Sequence, residues 1–173
     1  MSDVEVGAEA AAAEVVPNIT ELKAQKLIRN LSLWSAGVGL IPVPLVDALG
    51  VGGVQVYLIR ELTKLYDVPF SRERAKALVT AVVGGGVPVL VGGSATSLLA
   101  AIPLVGQVLS VAVMPVISGA STLALGRVFN EHLKTGGTLL DFDSEALRAH
   151  YQAEFEKAKQ EVSEAVSPNT LAA

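Results

Sequence analysis

Two side chains stand out in this 173-residue chain for what their chemistry could do where they sit: Asp47 and Gln107. Asp47 is the only charged residue between Arg29 and Arg60, and Gln107 is the one amide in a fifty-residue stretch, Ala77 to Gly126, that carries no charge at all. An acid at membrane depth needs a partner and marks a functional site, so one reading pairs Asp47 with Arg29 or makes it a proton or cation site. The other places Asp47 in the first turn of a helix, where the dipole favours an anion. Gln107, with Ser94, Thr96 and Ser97, either lines a solute path or makes hydrogen bonds between helices, worth about 0.6 kcal/mol each.

Other chemistries are weakly supported or excluded. The glycine-rich segments invite a phosphate-loop reading. Such a loop needs a lysine followed by Ser or Thr to neutralise phosphate and hold magnesium, and no lysine lies between Lys76 and Lys134. A nucleophile elbow of the form G-x-S-x-G does not occur. Without cysteine, disulfides, thiolate catalysis and Cys-ligated metals are excluded. His132 and His150 lack zinc-site spacing, and Asp141 and Asp143 read as helix caps rather than half a metal site. No metal, cofactor or catalytic residue is expected, and the chain reads as a non-enzyme. A net charge of −4 gives no footprint for nucleic acid.

The elements that must hold Asp47 and Gln107 are helical. The N-terminal stretch has acids where a signal peptide would be basic and no apolar core segment, so residues 1–17 read as a loose, partly helical tail. A helix starts near Asn18 with an apolar stripe of Leu22, Leu27, Leu31 and Trp34 and a polar side bearing Lys23, Lys26 and Arg29. Pro42 and Pro44 turn the chain, and a second helix follows over Leu45 to Tyr66 with Gly50, Gly52 and Gly53 inside it. Glycine costs about 1 kcal/mol in a helix but lets another backbone approach. Residues 31–59 fit a re-entrant or interfacial pair better than a clean span. Ser71 opens a third helix that enters the uncharged run.

Fifty helical residues would extend about 75 Å, against a bilayer core of about 30 Å. The run therefore predicts a hairpin of two spans, about residues 77–101 and 107–126. Its turn falls at Gly92-Gly93-Ser94 or, by preference, at Ile102 to Gly106, with a kink at Gly84 to Pro88. Arg72, Arg74 and Lys76 precede the run and Arg127 and Lys134 follow it. By the positive-inside rule both ends are cytoplasmic. Ser118-x-x-x-Thr122 and Ala120-x-x-x-Ala124 are small-residue pairs that suggest self-association of the second span. The helix then continues to Lys134 and ends at Thr135-Gly136-Gly137-Thr138. A last helix, capped by Asp141 or Asp143, runs to about Val162 with Leu147, Tyr151 and Phe155 on its apolar face.

The residues Gly39 to Val79, Leu98 to Gln107 and Ala124 to Asp143 together resemble the DUF697 family of YcjF-like bacterial membrane proteins. The resemblance is carried by Ile41-Pro42-x-Pro44 with Asp47, then Gln55, Leu62 and Tyr66, Ser71-Arg72, Pro103-x-x-Gly106 and Gly136-Gly137-Thr138. It covers about residues 20–160. It implies a helical, membrane-associated protein without established activity, and, since some such proteins are joined to or encoded near small GTPase domains, a GTPase-like partner.

The expectation is an all-α, membrane-associated protein of one domain, about residues 18–163, with a Gly/Pro-rich transmembrane hairpin, amphipathic flanking helices and a tail over 164–173. Its partners would be the lipid bilayer, further copies of itself and a GTPase-like protein, in the cytoplasmic membrane with both termini inside. The expected function is a non-enzymatic scaffold that oligomerises and presents cytoplasmic helices. The alternatives are an oligomeric channel or transporter component, and a helical bundle that inserts its hairpin on a trigger. Asp47 and Gln107 form the candidate intramembrane polar site, and Gly50, Gly53, Ser118, Ala120, Thr122 and Ala124 the candidate helix contacts.

Overall fold

The computed structural model describes the backbone of residues 2–38, 44–84 and 103–166, and the side chains of 19–37, 51–84, 113–143 and 145–166. Among the described residues five helices make up the bundle: α1 (Ser2–Val38), α2 (Pro44–Leu65), α3 (Arg72–Val79), α4 (Pro103–Lys134) and α5 (Ser144–Ala165). A single π-helical turn, Thr80–Gly84, extends α3. No strand occurs among the described residues.

Helix boundaries follow local chemistry. The Ala- and Glu-rich start of the chain has high helix propensity, and α1 runs from Ser2 through Pro17 where a tail was expected to residue 17. Ser71 caps α3 by accepting the Arg74 amide, and Asp143 caps α5 by accepting the Glu145 and Ala146 amides. Both α2 and α4 end in a left-handed residue with paired return bonds. At α2 this is Asp67 (φ 54°), with Val68 N–H to Thr63 O at 2.8 Å. At α4 it is Gly136 (φ 86°), with Gly137 N–H to His132 O at 3.0 Å. The preferred hairpin turn is corrected in part: Pro103 to Gly106 form the first turn of α4, since proline suits the first helical position. The alternative turn at 92–94 and most of the expected kink lie outside the described residues.

α4 is the central helix. α1 packs antiparallel to it, as Ser35 meets Ser118 while Glu21 meets Lys134. α2 runs parallel, Gln55 meeting Ser121 and Tyr66 meeting Asn130. α5 returns antiparallel, His150 beside Glu131 and Val162 against Gly119. The core between them holds Ile28, Leu58, Leu62, Val82, Leu125, Phe129, Tyr151 and Phe155.

Two expectations change. On α1 the buried positions are Ala24, Ile28, Ser32, Ser35 and Ala36, while Leu22 and Trp34 of the expected stripe face outward. Leucine spacing hid a face of small residues that brings α1 closer to α4. On α4, Ser118 to Gly126 are buried. This stretch is flanked by α5, which carries eight Lys, Arg, Asp or Glu residues from Glu145 to Glu164. The end of the expected second span is therefore protein core rather than a lipid-facing surface. Among the described residues, no helix is long and apolar enough to cross a membrane.

Candidate functional site: the polar seam of α4 and the two ends of the bundle

A chain of buried hydroxyl and amide groups crosses the middle of α4. Thr122 Oγ1 donates to Ser35 Oγ at 2.9 Å, and Ser35 Oγ donates to the Ser118 carbonyl at 3.1 Å. One residue away round the helix, Ser121 Oγ accepts from Gln55 Nε2 at 2.9 Å and lies 2.9 Å from the Tyr151 hydroxyl. The four helices α1, α2, α4 and α5 are thus cross-linked at one height. Ser35, Thr122 and Tyr151 are at most 1% exposed, so each bond spares a polar group a desolvation cost of about 1–3 kcal/mol.

This seam has no catalytic chemistry. Burial pushes the Tyr151 phenol up to about 12, with the Ser121 hydrogen bond working the other way. It stays a neutral hydroxyl at physiological pH. The hydrogen-bonded groups are hydroxyls, one amide and a carbonyl, none a base or an activated nucleophile. Among the described residues no three His, Asp or Glu groups gather as metal ligands.

Close approach accompanies the seam. A Cβ on Gly126 would stand 2.7 Å from Ile28 Cγ2 and 3.0 Å from Leu58 Cδ2; on Gly119 it would stand 2.9 Å from Val162 Cγ1 and 3.1 Å from the Ser32 carbonyl oxygen. Of the expected packing residues, Ser118, Ala120, Thr122 and Ala124 are buried inside this chain's own bundle, where they are unavailable to a second copy. Gly53 faces outward with open space where a Cβ would be. Gly50 and Asp47 lie on α2, Asp47 at its fourth residue, and Gln107 lies in the second turn of α4. The surroundings of these three fall outside the described side chains.

One end of the bundle is polar. Arg127, the first charge after the long run, grips Glu161 with both guanidinium nitrogens, at 2.8 and 2.7 Å, and lies 3.5 Å from Glu154. The hydrogen bond to Glu161 is the main reason the Arg127 pKa is raised, and the same bond lowers that of Glu161. Glu154 is lowered chiefly by its hydrogen bond from Lys157. An open groove of about 730 Å³ between α1 and α5 has Arg127, Asn130 and Lys134 on its floor and Glu21, Arg29 and Glu161 on its walls.

The connection from α4 to α5 is a clasped loop. Asp141 Oδ1 accepts both the amide and the hydroxyl of Thr138, at 2.6 Å each, and these bonds lower its pKa to about 2. Phe142 stacks on Phe129 at 4.2 Å, His132 fills the space beside Gly137, and Arg74 donates to the carbonyls of Leu139 and Leu140. Leu140 is left 72% exposed at the tip. The Asp143 cap was legible beforehand; the Asp141 clasp was not, although Thr138-x-x-Asp141 is spacing that could have revealed it.

The other end is apolar on its α1, α2 and α4 sides. Trp34 is 72% exposed and Tyr57 48%, with Leu33, Val113 and Met114 also open. The α4 backbone continues toward Pro103 for about ten residues, roughly 15 Å, past the level where Val113 and Met114 lie. Sequence reasoning missed Ser35, Ser121, Gly119 and Gly126. Their signal was small and hydroxyl residues recurring on adjacent turns of an uncharged helix.

The DUF697 family model, a domain of unknown function, matches residues 6–160. A protein of Magnetospirillum gryphiswaldense described as magnetosome membrane protein 22 is similar, with 36% identity over 140 residues, spanning 80% of this chain and 72% of the relative. No solved structure matches the chain. A match extending over nearly the whole bundle, from α1 to α5, makes this chain a member of the DUF697 family.

Proposed function

We propose that this protein is a membrane-associated, non-enzymatic scaffold. It is anchored through the uncharged segment between α3 and the middle of α4 and presents the polar end of its bundle to a protein partner. The observation that carries the reading is the division of α4. Its C-terminal half is core to a charged, water-facing bundle, whereas its uncharged N-terminal part runs past the bundle with Val113 and Met114 exposed. The membrane designation of the Magnetospirillum relative supports association with a bilayer.

The partner surface is the clasped loop with Leu140 at its tip. Arg74 holds this loop to α3, so it docks as a rigid unit, which lowers the entropic cost of binding. A GTPase-like domain is the first partner to try, on the strength of the family resemblance. Self-association uses residues other than the buried small pairs of α4.

The chain has no cysteine of its own, which permits a direct test. Single-cysteine variants Leu140→Cys and Met114→Cys are expressed, and membranes are extracted with alkaline carbonate. The chain is expected in the pellet, with position 140 labelled by an impermeant maleimide only from the cytoplasmic side and position 114 protected. Recovery in the supernatant overturns the anchor. Labelling of position 140 from outside overturns the orientation.

A further inference from the structure

We propose that the outer face of α1 is a lipid-contact surface in which Lys23, Lys26 and Arg29 lie against anionic phospholipid headgroups and Trp34 and Leu33 sit at the headgroup–acyl boundary. This rests on the membrane-anchored reading and adds to it a lipid class, a face and a depth.

The order of residues along α1 supplies the first argument. Lys23, Lys26 and Arg29 are exposed, stand one turn apart and make no ion pair among the described residues. In a chain with net charge −4, three adjacent cations without partners are complementary to a negative surface. Five residues beyond Arg29, about 7.5 Å along the axis, the outward residue is Trp34, 72% exposed, with Leu33 beside it. Tryptophan is favoured at the membrane–water boundary because its ring is apolar and its N–H polar.

α2 repeats the order independently. Ser35 of α1 and Gln55 of α2 meet adjacent turns of α4, at Thr122 and Ser121, so Trp34 and Tyr57 stand at nearly the same height. Arg60, with its side chain 52% exposed and 3.9 Å from Glu61, follows Tyr57 by one turn toward the polar end. Two adjoining helices thus carry an aromatic level and a cation level in the same sequence. α5 differs: at that height it exposes Glu161 and Glu164. A bundle that leans on the bilayer with its α1–α2 flank keeps these acids in water.

The distances grade the effect. Arg29 lies within one Debye length, about 8–10 Å, of the Trp34 level, Lys26 slightly beyond it and Lys23 farthest. Attraction of a basic residue to an anionic leaflet fades over that length; Arg29 is nearest in height but lines the groove toward α5 with Glu21 and Glu161, so its advantage in height is offset by its place at the edge of the face.

Trp34 is the only tryptophan in the chain, and its fluorescence reports the contact without labelling. The full chain is reconstituted in phosphatidylcholine nanodiscs with and without phosphatidylglycerol, using lipids brominated near the top or near the end of the acyl chain. Expected are stronger quenching by the shallow bromines and a drop of at least threefold in that quenching when phosphatidylglycerol is omitted. Lys23→Gln/Lys26→Gln/Arg29→Gln produces the same drop, each single substitution only part of it, and Lys23→Arg/Lys26→Arg none. Circular dichroism checks that each variant folds. A chain that co-elutes with the disc while Trp34 stays unquenched overturns this inference and leaves the anchor standing. Emission that is blue-shifted yet insensitive to bromine means that a protein surface covers Trp34, and also overturns it. Quenching that ignores phosphatidylglycerol and the cations overturns the headgroup assignment. A chain that fails to insert but is quenched on phosphatidylglycerol discs overturns the anchor and supports the face.

Discussion

The two flanks of α4 are built on opposite principles. Toward α1 the contact is close and small: Gly126 against Ile28, Gly119 against Ala36 and the Ser32 backbone while its other side meets Val162 of α5, and a hydroxyl chain from Thr122 to Ser35. Toward α5 it is bulky and charged: Tyr151 and Phe155 fill the space, and Arg127 reaches out to Glu161 and Glu154. Small residues with hydroxyl bonds are how helices associate when lipid gives no hydrophobic advantage to packing. Aromatic burial under an ion-paired rim is how they associate in water. One helix serves both, which fits a bundle placed where water gives way to a bilayer.

The comparison predicts opposite sensitivities. Phe155→Ala should have the largest effect, since removing a fully buried ring costs about 3–5 kcal/mol. Chemical or thermal unfolding should show α5 released first. An unchanged midpoint would mean that α5 is not held by its aromatic face. Gly126→Val comes next, at about 1–3 kcal/mol, because the added Cβ meets Ile28 at 2.7 Å in a well-packed seam. Small-to-large substitutions should thus damage the α1 flank and large-to-small ones the α5 flank; equal responses to both would erase the distinction.

Hydroxyl deletions probe the seam itself on a smaller scale. Ser35→Ala removes the acceptor of Thr122 and the donor to the Ser118 carbonyl at once, and should cost about 1–3 kcal/mol. Tyr151→Phe leaves Ser121 still bonded to Gln55 and should cost about 0.5–1.5 kcal/mol. Denaturant midpoints that reverse this order would show that the α5 flank, not the α1 flank, depends on the polar bonds.

Much of this was legible in the sequence. The all-helical architecture and the starts of α2, α3 and α5 follow from Pro44, Ser71 and Asp143, because caps and prolines act locally. The closing glycine at 136 is equally local. Illegible was which face of α1 turns inward. Leu22 and Trp34 read as core by hydrophobicity, but the tight approach to α4 selects Ala24, Ser32, Ser35 and Ala36, and only the partner helix reveals that. The fifty uncharged residues likewise gave no sign that their last nine, from Ser118, are core beneath a charged helix. Charge on α5 lies many residues away in sequence and beside it in space. The Arg127–Glu161 pair is of the same kind.

The smallest effect separates the flanks by acid. The hydroxyl bonds of the α1 seam do not titrate in the acid range, whereas the loop leading into α5 is closed by a carboxylate. The Asp141 pKa is lowered from an ordinary 3.8 to about 2 by two hydrogen bonds from Thr138. A group depressed in the folded state stabilises it above the unfolded value, and that contribution is lost as pH falls through the folded value. The clasp should therefore be intact above about pH 4 and open progressively toward pH 2. The Thr138 amide, which donates directly to Asp141, supplies the measurement: its nitrogen and proton shifts should move with a midpoint near 2. Asp141→Asn should abolish the titration, and the amides of Ser35 and Thr122 should not follow it. A Thr138 midpoint near 4 would mean that the carboxylate is not held by the loop, and coincident movement of Ser35 would mean that acid acts on the bundle as a whole rather than on its α5 flank.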